Sequence, residues 1–235
     1  MRMSKQEKRY IALIPAAGVG ARMAAGSPKQ YLPIADKPML RYAVEAFQRC
    51  ELIAHTYVVV SAEDAYIDDV LPAGEAGVTV LRCGGATRME SILNGLRAAR
   101  AQIGDNDLVL VHDAARPGLT PGLIRKLVEE AGDEAAGGLL ALPVVDTVKS
   151  TRGGVVVTTP RDGLWLAQTP QMFPYALLER ALGAAADPSA ITDDASAIEA
   201  LGLSPKLVEG HPRNFKVTLP SDIGIAEMYL RQDLA

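Results

Sequence analysis

Arg22 and Lys29 lie in one short stretch, Ile14 to Leu32, that also holds Gly18, Gly20 and Gly26 and follows an apolar run at Tyr10–Ile14. Glycines leave backbone N–H groups uncovered, and fixed cations beside them suit an anion, above all a polyphosphate. What the stretch lacks narrows the choice. Gly18-Val19-Gly20 opens like a dinucleotide fingerprint, but Met23 stands where the third glycine would pack helix on strand. Charged Arg22 occupies an uncharged spacer position, and Asp36 falls in a Pro-bounded turn instead of closing a second strand. The Gly-Lys-Ser/Thr end of a P-loop is also missing. What remains suits a triphosphate whose charge must be neutralised while a P–O bond breaks, which is phosphoryl or nucleotidyl transfer.

The rest of the chain must position that loop. Short apolar, β-branched runs recur at Tyr10–Ile14, Thr56–Ser61, Val78–Arg82, Leu108–His112 and Leu139–Pro143. Helical periods lie between them. Pro38 opens one, with Met39, Leu40, Ala43, Val44 and Phe47 on a shared face. Thr87 and Glu90 have capping-box spacing ahead of Ile92, Leu93, Leu96 and Ala99, and Pro121 starts a third helix bearing Leu123, Leu127 and Val128. Strand–helix alternation with near-continuously apolar strands predicts an α/β, Rossmann-like, mostly parallel sheet with helices on both faces. Past Val144 the rhythm breaks. Residues 144–163 read as two β-rich arms around an Arg-Gly-Gly turn, with no helix between them. A lone hairpin is marginal in water, so the expectation is an arm that projects and packs on a second subunit as a homodimer; the alternative is a hairpin lying flat on its own domain. Helices are expected again at Tyr175–Ala186 and Asp193–Leu201, a last strand at Lys206–Glu209, and a final helix near Pro220 capped by Ser221.

At 235 residues the chain can bury a full core, and it reads as one domain, 1–235. A net charge of −4 argues against a general nucleic-acid binder, which needs a broad basic surface. No apolar run approaches membrane-spanning length and the N-terminus has no apolar segment behind its charges, so neither a membrane nor export is expected. Cys50 and Cys83 lack ligand spacing and fit free thiols in the cytoplasm. His112 reads as a packed strand-end histidine, and His55 and His211 lack supporting context.

Four motifs, P-A-A-G-x-G-x-R-M, S-P-K-Q-Y, V-H-D-A-A-R-P and T-P-Q, together resemble the 2-C-methyl-D-erythritol 4-phosphate cytidylyltransferases, from about Tyr10 to Leu230. The resemblance implies transfer of CMP from CTP to a polyol phosphate, methylerythritol phosphate, with release of pyrophosphate and with Mg²⁺. Ribitol-phosphate and other sugar-phosphate cytidylyltransferases are the nearest alternative, sharing the loop and the D-A-A-R-P motif. It implies that Arg22 and Lys29 are catalytic and that Ala16, Ala17, Gly18, Gly20, Gly84, Gly85, Ser91, Asp113 and Ala114 bind the nucleotide. Asp113 would also hold the metal, for which one carboxylate suffices beside phosphate oxygens and water. Arg116, Thr147, Arg161, Thr169, Thr192 and Lys216 would bind the acceptor. Thr147 and Arg161 fall in the arm, so a dimer would complete the acceptor site in trans.

Overall fold

The computed structural model describes residues 8–18, 28–185, 187 and 191–232. Arg22 and Gly20 of the glycine loop, and Ala186, lie outside these residues. A seven-stranded sheet forms the centre, built from β1 (Tyr10–Pro15), β4 (Ile53–Val59), β5 (Val78–Leu81), β6 (Leu108–Val111), β7 (Gly138–Pro143), β10 (Trp165–Pro174) and β11 (Lys206–Glu209). Its order is β11-β7-β10-β6-β1-β4-β5. β1 pairs in parallel with β4 on one side and β6 on the other, and β4 pairs in parallel with β5. The chain therefore winds outward from β1 in one direction and returns to start again at β6. The carboxyl ends of β1 and β6 are the switch point of this sheet, where such folds open a crevice.

Both sheet faces are covered, which is why β1 and β6 carry no polar residue. Ala12 and Ile14 of β1 pack with Leu40, Val44 and Phe47 of α1 (Met39–Gln48) and Leu127 of α4 (Pro121–Ala131). Ile11 and Leu13 face Ile92 and Leu96 of α3 (Arg88–Ala98) and Leu178 of α5 (Tyr175–Gly183). Each such side chain contributes about 1.5–3 kcal/mol by leaving water. The Thr87–Glu90 capping box of α3 is present with both reciprocal hydrogen bonds, and Asp193 caps α6 (Asp194–Ala200) in the same manner. Among the described residues no helix is long and apolar enough to cross a membrane.

Three features depart from the sequence reading. β10 was not anticipated: it runs antiparallel between β6 and β7, with a register break between Ala167 and Gln171 where the Thr169–Pro170 bond is cis. A small hairpin, β2 (Pro33–Ile34) with β3 (Lys37–Pro38), precedes α1, so Pro38 sits at the N-cap instead of the first turn. A one-turn α2 (Ile67–Val70) follows β4. As expected, the last helix, α7 (Asp222–Gln232), starts directly after Ser221, and the Asp222 carboxylate gathers the N–H groups of Thr218 and Leu219 at that junction.

The arm is a separate two-stranded sheet, β8 (Val148–Arg152) against β9 (Val155–Thr159). Its turn needs positive φ at both central residues, and Gly153 (56°) and Gly154 (82°) supply it. Val155, Val156 and Val157 are 62%, 64% and 49% exposed, an apolar strand with no cover from its own chain.

Candidate active site

The switch point holds the two described ends of the glycine stretch, residues 16–18 and 28–32, together. Ala16 donates its N–H to the Val59 carbonyl at 2.7 Å and accepts from Gln30 Nε2 at 2.6 Å, so β1, β4 and the Lys29–Tyr31 turn are tied together. Gly84 donates to the Val60 carbonyl at 2.8 Å, and a Cβ on it would stand 2.3 Å from the Ala17 Cβ. Only glycine permits that approach of the two loops. Gly85 N–H donates to Ser91 Oγ at 3.0 Å, and that hydroxyl donates onward to the Thr87 carbonyl at 2.9 Å. Ser91 thus braces the Gly85–Thr87 loop from within α3.

Above these loops opens a cavity of about 300 Å³, lined by Ala16, Ala17, Gly18, Lys29, Gly85, Arg88, Ser91, Asp113, Ala114 and Lys216 among others. Every described residue expected to bind nucleotide borders it except Gly84, whose part is the close packing just given. A second cavity, about 270 Å³, is lined by Arg116, Thr169, Thr192, Asp193 and Gln171, and shares Arg88, Asp113 and Lys216 with the first. Four of the six residues expected for the acceptor meet there. Thr147 and Arg161 border neither cavity; they stay with the arm, where the Arg161 guanidinium donates to the Val145 carbonyl.

Asp113 stands at the seam. It leaves β6 at the carboxyl end, 7% exposed, with Arg88 Nε 2.8 Å from Oδ1, Lys216 Nζ 2.8 Å from Oδ2 and Arg116 Nε 3.6 Å from Oδ2. Burial alone would raise its pKa, but Arg88, Lys216 and Arg116 hold it well below the usual carboxylate range. Arg88 also forks onto Asp194, Nη1 to Oδ1 at 2.9 Å and Nη2 to Oδ2 at 3.0 Å. Burial lowers Arg116 from the ordinary arginine value; its Nη atoms reach the Asn214 and Ala167 carbonyls, while Nε is buried with no hydrogen-bond acceptor among the described residues.

His112 is fully buried, and that burial lowers its pKa to about 4. Its Nε2 lies 3.2 Å from the Arg116 carbonyl, which can only accept, so Nε2 is the protonated nitrogen. Nδ1 then accepts from Thr169 Oγ1 at 2.9 Å, and that oxygen in turn accepts from the Asp113 N–H at 3.1 Å. The imidazole is neutral with both nitrogens engaged. It fixes the Asp113–Arg116 turn and is no general base, as its sequence position suggested.

Arg88 and Asp194 were missed by sequence reasoning. Arg88 is the first residue of a capping-boxed helix just after Gly84-Gly85, a place where a cation faces a bound anion, and that spacing was a usable signal. Asp194 lies 106 positions away, and nothing local announces its partner. Among the described residues no three His, Cys, Asp or Glu side chains gather as a metal cluster. Asp113 is the carboxylate shared by both cavities, with Arg88 on Oδ1 and Lys216 and Arg116 on Oδ2. That donor set fits a Mg²⁺ whose other ligands are phosphate oxygens and water.

A glycine-lined cavity and a cation-rich cavity that meet at one ionised carboxylate, on the switch point of a doubly wound sheet, define a nucleotidyltransferase. The chain belongs to the 2-C-methyl-D-erythritol 4-phosphate cytidylyltransferase (IspD) family, whose family model matches residues 10–232. It is 49% identical over 229 residues to the 2-C-methyl-D-erythritol 4-phosphate cytidylyltransferase of Nitrosomonas eutropha, covering 95% of this chain and 97% of that one. With the enzyme of the same name from Paraburkholderia phytofirmans it shares 50% identity over 235 residues, 97% and 98% of the two chains. Among solved structures, the crystal structure of a 4-diphosphocytidyl-2C-methyl-D-erythritol synthase superposes with a TM-score of 0.84 at 43% identity, covering 96% of this chain and 100% of that one.

Proposed function

We infer that this chain transfers the cytidylyl group of CTP to the phosphate of 2-C-methyl-D-erythritol 4-phosphate, giving 4-diphosphocytidyl-2-C-methyl-D-erythritol and pyrophosphate. The observation that carries the reading is the seam: one carboxylate and two cations, Asp113, Arg88 and Lys216, border both cavities at once. An acceptor phosphate in the second cavity is thereby held against the α-phosphorus of a nucleotide in the first. The acceptor oxygen attacks the α-phosphorus, the bond to the bridging β-oxygen breaks, and pyrophosphate leaves with that electron pair. The acceptor is already an anion, so the step needs no general base, in keeping with a neutral His112.

Lys29, with Arg22 of the same loop, is assigned to the triphosphate, and Lys216 to both phosphates at the seam. Arg116, which borders the second cavity and pairs with Asp113 there, adds a buried positive charge for the acceptor phosphate. Thr169 and Thr192 border the acceptor alongside it. Mg²⁺ would be held by Asp113 and would add positive charge against the triphosphate. Lys29 and Lys216 orient the phosphates whatever the metal contributes.

Two further parts belong to this reading. The exposed Val155–Val157 strand supports a homodimer through residues 144–163, in which Thr147 and Arg161 reach the partner's acceptor cavity. Cys50 and Cys83 are free, which supports a reducing, cytoplasmic setting. The test is a product assay with CTP, UTP and ATP against methylerythritol phosphate, ribitol phosphate and no acceptor. Pyrophosphate release from CTP with methylerythritol phosphate alone is expected; equal release with ribitol phosphate, or release without acceptor, would overturn the assignment.

A further inference from the structure

Asp194 borders neither cavity, is 1% exposed, and reaches the seam through Arg88. The guanidinium is planar and rigid, so anchoring two of its nitrogens fixes the direction of the third. Asp194 holds Nη1 and Nη2 at 2.9 and 3.0 Å, and Nε then meets Asp113 Oδ1 at 2.8 Å. Asp194 is itself held. Its helix begins in the Asp193–Ser196 capping box, and Gln171 of β10 accepts from the Ala195 N–H at 2.8 Å while donating to Asp193 at 2.8 Å. With the Asp194 charge removed, nothing would keep Arg88 from turning its Nη pair onto Asp113, the stronger bidentate arrangement, and drawing that carboxylate away from Lys216.

We propose that Asp194 is a positioning residue for cytidylyl transfer, acting through Arg88 to hold Asp113 at the seam of the two cavities. Thr192 and Asp193, in the same turn, wall the acceptor cavity, so one helix start sets both that wall and the Arg88 anchor. The proposal rests on the functional reading above.

A double-mutant cycle of Asp194→Asn with Arg88→Met decides it. In the wild-type background Asp194→Asn should lower kcat by roughly tenfold to a hundredfold, the scale of a small misplacement at a reacting centre, with KM for CTP little changed. In the Arg88→Met background the same substitution should leave kcat within about twofold, because the group it acts through is gone. It should also raise Tm there, by removing a buried unpaired charge, whereas in the wild-type background it lowers Tm. Equal losses of kcat in both backgrounds would assign Asp194 a general folding role and overturn the proposal. If Asp194→Asn alone does not fold, the comparison of Arg88→Met with the double variant still decides, since any further fall in kcat overturns it. An arm without substrate keeps the two readings apart: the Arg88 Nε–H resonance, identified by its loss in Arg88→Met, should shift or broaden in Asp194→Asn. An unmoved resonance overturns the positioning role, while absent wild-type turnover would count against the assigned reaction only.

Discussion

Lys216 and Lys29 show why residue chemistry alone did not separate the two substrates. Both are lysines in polar surroundings, and Lys29 Nζ donates to the carbonyl of Val217, the neighbour of Lys216, at 2.9 Å. Their difference is where they stand: Lys29 borders the first cavity, Lys216 borders both. Replacing Lys29 by Ala should lower kcat by roughly 10²–10³, the cost of one preorganised charge-stabilising donor, with the acceptor KM nearly unchanged. Lys216→Ala should lower kcat on a similar scale and also raise the acceptor KM; steady-state kinetics with each substrate varied in turn separates the two patterns. Equal effects of both variants on both KM values would mean that the cavities do not divide the substrates. At this scale the sequence was informative where a motif was compact. Asp113, Arg116 and Lys29 were singled out by motifs that resemble a known family and do line the cavities, whereas the Arg88–Asp194 pair joins α3 to α6 across 106 positions and had no such motif.

Elements carry the site through close approaches that substitution should expose. A methyl group on Gly84 would press on the Ala17 Cβ at 2.3 Å and the Val60 carbonyl at 2.9 Å. Gly84→Ala should therefore cost about 1–3 kcal/mol of stability, as overpacking does, and raise KM for CTP because the displaced loop walls the nucleotide cavity. Thermal melts and CTP kinetics on one preparation check both. The entry to the sheet is tied by Asp107, whose carboxylate accepts from Arg9 N–H and Nε, both at 3.1 Å, and from Gly104 N–H at 2.8 Å. Burial alone would raise the Asp107 pKa, but these donors more than offset it and leave it lowered. A carboxylate with a lowered folded pKa contributes stability above its unfolded value, near pH 4, and loses it as pH falls further. Asp107→Asn should then cost about 1–2 kcal/mol at pH 7, modest because Arg9 is half exposed, and the Tm gap to wild type should narrow toward pH 3. A gap that widened in acid would refute the linkage. The parallel core was legible because β1, β6 and the second half of β4 are buried and read as largely apolar runs. β10 was not: its Trp165-Leu-Ala-Gln-Thr-Pro-Gln sequence carries a proline and glutamines where a central strand is expected to be apolar. Three of those polar residues, Gln168, Thr169 and Gln171, wall the second cavity, the one assigned above to the acceptor.

The whole molecule raises the question of which chain's arm serves which site. Thr147 and Arg161 border neither cavity of their own chain, and the arm that carries them exposes Val155, Val156 and Val157. The turn of that arm was readable from Arg-Gly-Gly, and its packing on a second subunit was expected from the marginal stability of a lone hairpin and stays a proposal. In the proposed homodimer, Val156→Asp should shift dimer to monomer, seen by light scattering, and lower kcat/KM for the acceptor more than for CTP; an unchanged mass would refute dimerisation through the arm. A mixing experiment separates a supporting arm from one that supplies a residue. Lys29→Ala spoils a cavity but keeps a sound arm; Arg161→Ala spoils an arm but keeps a sound cavity. If arms serve the partner, a heterodimer of the two has one intact site, formed by the sound cavity and the sound arm. Statistical exchange of two such chains under two-fold symmetry makes half the dimers mixed, so activity should recover to about one quarter of wild type. If each arm serves its own chain, no combination restores a site, and the mixture stays at the level of its components.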